Sequence, residues 1–286
     1  DLVESTRTLA FKQKYPDRYI EMGVAEQNLA TIASGLSAVG KIPFISSYGM
    51  FSPGRNWEQI RTTICYNEQN VKIIGAHTGV SVGPDGGTHQ AIEDMAIMRV
   101  VPNMIVLAPC DVIESKKATI AAAKIYSPVY LRFGREKTPV LTTEKTPFTI
   151  GKAETFLIGE DVTIIACGTL VYEAVYAAYL LSKQGVSAEV INSPSVKPLD
   201  EKTILESVKK TGAVVTVEEH QAASGLGGAV AEFLSDIYPV PIKRIGVNDR
   251  FGESGQPEEL LKHFHLTAPD IARVANEAVK MRGKKR

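Results

Sequence analysis

The chain has 286 residues, 44% of them apolar and 22% charged, which suits a globular protein of about two ordinary domains with a sizeable core. Its 32 Lys and Arg balance 32 Asp and Glu, so global charge favours neither nucleic acid nor an anionic membrane, and the terminal KMRGKKR reads as a solvated tail. Cys65, Cys110 and Cys167 stand singly and far apart, which fits a reducing, cytoplasmic setting rather than a disulfide framework or zinc site, and no run resembles a signal peptide or spans a bilayer.

In chain order, a strand-like run over Tyr19–Gly23 meets a helix-forming stretch, EQNLATIASGLSAVG, with Glu26 in its first turn and Ala30, Ile32, Ala33 and Leu36 apolar. Strands are predicted at Ile42–Ser47, Val71–Ala76, Met104–Ala108 and Val129–Phe133, with helices near Asn56–Cys65, Gln90–Val100 and Asp111–Ile125. Gly134–Lys152, rich in Pro, Thr and charge, breaks the alternation and reads as a linker, so one domain is drawn over 1–136, a linker over 137–152 and a second domain over 153–286. Alternation then resumes, with strands at Val162–Ala166, Ala188–Ile191, Ala213–Val217 and Ile242–Ile245. Helices follow at Leu170–Gln184, Ile204–Lys210, Gly227–Ile237 and Ala268–Met281. Such alternation predicts an α/β protein of two domains, each a largely parallel sheet flanked by helices.

Ligands of such sheets bind beyond the carboxyl ends of the strands. One strand is followed there by HTGVSVGPDGGTHQ, a glycine-rich loop that gathers His77, Asp85 and His89; this favours a polar site over a plain loop with Thr88 capping a helix. Zinc is a weak alternative, because the spacing matches no common ligand set. Other residues have ordinary readings when taken alone. Glu26 suits a helix start, Tyr48 and Phe51 suit a core, and Arg132 suits a surface ion pair. HQAASGLGGAV lacks the full dinucleotide-binding spacing and reads as a strand-to-helix turn, with His220 structural.

Taken in order, GVAEQNLATIASGLSAVG, PFISSYGMF, GAHTGVSVGPDGGTHQAIED and VYLRFGR strongly resemble transketolase, and SVKPLD and TVEEH echo its final domain. The resemblance spans essentially the whole chain but only the carboxyl-terminal half of a full-length transketolase. It implies a pyrimidine-binding domain followed by the transketolase C-terminal domain. It also implies that Glu26 binds the aminopyrimidine of thiamine diphosphate, a role open to a carboxylate that shares a proton with a ring nitrogen. Tyr48 and Phe51 match the aromatic pocket around that ring, and Asp1 an aspartate near the cofactor. His77, Asp85 and His89 match contacts to sugar hydroxyls, with the imidazoles assisting proton transfer, and Ser5 and Arg132 match phosphate contacts. Gly54 stands where some relatives carry another aromatic residue.

The GDG motif that holds the diphosphate and its magnesium in this family is missing, as are the helix and strand expected before Asp1. The resemblance therefore implies the C-terminal subunit of a split transketolase of the pentose phosphate pathway, acting on sugar phosphates. An N-terminal-half subunit would hold Mg2+, in a heterotetramer or around a homodimer of this chain. A proteolytic or engineered fragment is another reading of the same absence. Deoxyxylulose-phosphate synthase, the β subunit of 2-oxoacid dehydrogenases and a catalytically idle binding homologue are the alternatives; His77 in GAHTG favours transketolase over the synthase.

Overall fold

Residues 2–282 are described in a computed structural model of the chain. In chain order its strands are β1 (Phe44–Tyr48), β2 (Lys72–Ala76), β3 (Ile105–Leu107), β4 (Val129–Arg132), β5 (Glu154–Leu157), β6 (Val162–Ala166), β7 (Ala188–Asn192), β8 (Ser195–Lys197), β9 (Val214–Gln221) and β10 (Ile242–Val247). They form two five-stranded sheets, ordered β1-β2-β4-β3-β8 and β10-β9-β6-β7-β5. All pairings are parallel except β3 with β8 and β5 with β7. The central strands are buried along their whole length, as strands covered by helices on both faces must be, and so read as continuous apolar runs.

The two antiparallel strands were not visible in the sequence pattern. Glu154–Leu157 lies within no apolar run and serves as a half-exposed edge. Ser195–Lys197 belongs to the second half of the chain yet pairs with β3 of the first sheet, so the halves interlock. A shared core reinforces this, since Met95, Met98, Val106 and Tyr130 cluster with Ile165, Ile191, Val214 and Leu226. The 134–152 stretch is irregular and pinned: Asp111 accepts hydrogen bonds from the Leu141 and Thr142 amides while also capping the helix Val112–Lys124.

Other departures are local. Tyr19–Gly23 joins no sheet, and Ile20 is largely exposed. The expected Asn56–Cys65 helix is a short α-turn, Trp57–Gln59, that widens into a π-helical segment, Ile60–Tyr66. The helix expected from Gln90 starts at Asp94, because the Gln90 amide is turned into the glycine-rich loop, where Nε2 donates to the Val80 carbonyl at 2.9 Å. Helices Leu9–Lys14 and Pro257–His263 carry no clear apolar periodicity, and the first buries nothing.

Candidate active site at the carboxyl ends of the first sheet

Helix Glu26–Ala38 packs Ala30, Ala33, Ser34 and Ser37 inward, and Ser34 donates to the Thr63 carbonyl of the π-helical segment at 2.7 Å. That docking buries Glu26 to 6% exposure at the helix start. Its carboxylate accepts from Arg55 Nη1 at 2.9 Å, and its own carbonyl accepts from Asn56 Nδ2 at 2.9 Å. The Arg55 guanidinium also lies 4.6 Å from the centre of the Phe51 ring, so one planar cation touches both groups.

Tyr48 ends β1, and the Phe51 ring lies parallel to it at a centroid distance of 6.0 Å. On the next strand, His77 directly follows Ala76 and stacks on Tyr48 at 4.3 Å. His89, at the far end of the glycine-rich loop, meets Tyr48 and Phe51 edge-on at 5.9 and 5.3 Å. The four rings form one cluster. Asp85 pairs with Arg135 at 3.5 Å, and both charges act on His77. Arg135 is about one-third exposed, donates to the Val82 carbonyl at 2.7 Å, and has its own carbonyl bonded by Arg7.

Burial pushes the pKa of His77 down to about 4, with Arg135 and Arg7 acting in the same direction and Asp85 opposing them. Its Nδ1 is buried with no hydrogen-bond partner among the described residues. His77 is therefore neutral near pH 7, able to accept or give one proton. Because its folded pKa lies below that of the unfolded chain, near 6.5, the unfolded state binds more protons between these values. Stability from this residue is lost as pH falls through that window. A titration of the His77 ring by NMR should give a midpoint below pH 5; one at or above 6.5 would show an open, solvated imidazole.

Arg132 requires a correction. The expected phosphate contact is buried, its side chain only 5% exposed, and its guanidinium is engaged through Nε and Nη2. Nε donates to Asp94 Oδ2 at 2.8 Å, and Nη2 reaches Asp94 Oδ1 at 3.2 Å, the Ala91 carbonyl at 3.3 Å and the Glu219 carbonyl at 2.8 Å. As the last residue of β4, beside Tyr130, it points into the joint between the two halves. Ser5 stands exposed on an N-terminal turn with no contact to the ring cluster among the described residues, while Asp1 lies outside them. Glu26 also departs from the ordinary capping reading, since its carboxylate meets Arg55 rather than a helix amide. Sequence reasoning missed Arg55 and Arg135. RFGR holds two arginines, and only the second lies beyond the strand, where a side chain is free to face solvent.

Comparison with known proteins gives the family of the chain. The family described as transketolase, pyrimidine binding domain, matches residues 1–140, and transketolase, C-terminal domain, matches residues 151–271. A putative transketolase C-terminal section of Methanocaldococcus jannaschii is 44% identical over 283 residues, covering 98% of this chain and 89% of that protein. The 6-deoxy-6-sulfo-D-fructose transketolase subunit SqwH of a Clostridium species is 43% identical over 277 residues, covering 97% and 86%. A solved split-gene transketolase, described as an inactive β4 tetramer, superposes with a TM-score of 0.92 at 45% identity, covering 99% of this chain and 91% of that one. This chain belongs to the transketolase family, as a C-terminal section carrying the pyrimidine-binding and C-terminal domains.

Proposed function

We propose that this chain is the catalytic C-terminal subunit of a thiamine-diphosphate-dependent transketolase. With a separate N-terminal-half subunit it would move a two-carbon ketol unit from a ketose phosphate to an aldose phosphate. The observation that carries the reading is the Glu26–Arg55–Phe51 arrangement. A flat, N–H-bearing cation already sits against a buried carboxylate and an aromatic face, and an aminopyrimidine offers the same shape and donors. The residues present thus fit the cofactor's ring.

Thiamine diphosphate, when bound, supplies the electron sink for breaking a carbon–carbon bond. Glu26 would hold a proton at its carboxylate for the ring nitrogen, and Tyr48 and Phe51 would shield the ring from water. His77 and His89 would take protons from sugar hydroxyls and return them, a task suited to neutral imidazoles. Asp85 and Arg135 would face the polar end of the sugar. Arg135, with Arg7 beside it, replaces Arg132 as the guanidinium available to an anionic group. Mg2+ and the diphosphate are assigned to the partner subunit, since this chain has no GDG motif. Val24, Ile42, Phe44 and Met50 lie exposed near Glu26 and β1, whose outer edge is unpaired among the described residues, which supports a covering partner.

A sulfonated ketose is a second reading, favoured by the similarity to the 6-deoxy-6-sulfo-D-fructose transketolase subunit, since a guanidinium can meet sulfonate as it meets phosphate. The test assays the chain with and without its N-terminal-half partner. Xylulose 5-phosphate, 6-deoxy-6-sulfo-D-fructose and pyruvate serve as donors and ribose 5-phosphate as acceptor, with calorimetric titration of thiamine diphosphate and Mg2+. The complex should transfer from a ketose and the isolated chain should neither react nor bind tightly. Use of pyruvate alone, or tight magnesium-dependent binding by the isolated chain, would overturn the reading.

A further inference from the structure

The loop that carries His77 and His89 belongs to the first half of the chain, yet much of what holds it comes from the second. Val80 is fully buried in the second domain's core, among Val217, Ile245 and Leu260. Glu219, near the end of β9, is 2% exposed and reaches across the domain joint. Its Oε1 accepts from the Ser81 amide at 2.5 Å, and its Oε2 accepts from the Thr169 hydroxyl at 2.8 Å. Gly79, at φ +87°, lies against this carboxylate so closely that a Cβ there would sit 2.4 Å from it; the loop is shaped around Glu219. Farther along, the Gln90 Nε2 that bonds the Val80 carbonyl also donates to the Glu253 carbonyl at 2.9 Å, and a Cβ on Gly87 would meet the Gly252 carbonyl at 2.6 Å.

We propose that Glu219 is a positioning residue for ketol transfer: by holding the Ser81 amide and the Thr169 hydroxyl together, it fixes the span between His77 and His89. The second domain thereby supplies the back wall of a site whose reacting groups all lie on the first. This rests on the function proposed above. The physical argument is one of tethering. Ser81 lies between the two imidazoles, and its tether is a buried hydrogen bond that water cannot replace without opening the domain joint. With the carboxylate gone, the amide is left unsatisfied and the glycine-rich loop, which has little backbone stiffness of its own, can shift both rings against Tyr48. A misplacement of about 1 Å costs on the order of 10²-fold in rate.

The test compares Glu219→Asp and Glu219→Gln in the assembled complex with the N-terminal-half subunit. Asp is one methylene too short to span both partners. Gln keeps a carbonyl for Ser81, and its amide can donate to the Thr169 oxygen. Expected is a fall in kcat of roughly 10-fold to 100-fold for Asp, with KM for the donor and calorimetric affinity for thiamine diphosphate little changed, and substantial rescue in Gln. A structural role alone would lower the melting temperature and scale kcat with the folded fraction. Hydrogen exchange of the peptide covering residues 77–90 gives a readout that needs no activity. Its amides should lose protection in Asp and keep it in Gln, so the tether is tested even if the parent complex transfers no ketol group. Equal kcat and equal protection in the two variants, or an unperturbed Asp variant, would overturn the proposal.

Discussion

In the assembled enzyme, Glu26→Ala should cut ketol transfer by about 10²–10⁴-fold, the range for losing a positioned proton-transfer group, while the fold survives. Both halves of that expectation come from one ion pair. Glu26 is buried, but its partner Arg55 is about half exposed, so the freed guanidinium can turn into solvent. No uncompensated buried charge remains, and the helix keeps its packing through Ala30, Ala33 and Ser34. Steady-state rates with a ketose phosphate donor, set beside thermal melts of parent and variant, check both parts. A variant that retains turnover within a few-fold of the parent would remove Glu26 from the mechanism. One that fails to fold would make the carboxylate a structural group instead.

Glu26 and the histidine loop were legible because each sits at a transition the sequence marks: an acid opening a helix, and glycines following an apolar strand. The order of the parallel strands was legible as well, since buried parallel strands read as apolar runs. What failed was direction. A central strand such as Val129–Arg132 is buried on both faces, so alternation cannot say where Arg132 points. Its partner Asp94 begins a helix far along the chain, and nothing in AIEDMAIMRV distinguishes a buried aspartate from a solvated one. Glu219 was hidden in the same way: TVEEH looks like a strand end with two exposed acids, yet both are buried. Glu218 instead accepts from the Leu226 and Gly227 amides at the start of the helix Leu226–Ile237. Pairings between distant segments, β3 with β8 above all, leave no local periodicity to read.

Replacing Arg132 should damage the fold, not the recognition of phosphate. Asp94 is buried to 1% side-chain exposure and is held by Arg132 Nε at 2.8 Å and by the Tyr130 hydroxyl at 2.7 Å. Burial alone would raise its pKa; the Arg132 charge and hydrogen bonds outweigh that and hold it below the usual carboxylate range. In Arg132→Ala the acid stays buried with its cation gone, and the Glu219 carbonyl loses the guanidinium's hydrogen bond. Breaking such a pair from one side costs about 3–5 kcal/mol, which denaturant unfolding should detect. The pH dependence follows from the signs. In the parent, a depressed folded pKa gives stability that is present above the unfolded value and lost as pH falls toward the folded one. In the variant, burial without the cation raises the folded pKa, so the acid destabilises most at neutral pH and less as protons are added. The gap between the two proteins should therefore narrow on acidification. A double variant, Asp94→Leu with Arg132→Met, should recover part of the loss, because it removes both charges and leaves no unpaired ion. An Arg132→Ala protein as stable as the parent, with KM raised selectively for phosphorylated sugars, would return Arg132 to the substrate site.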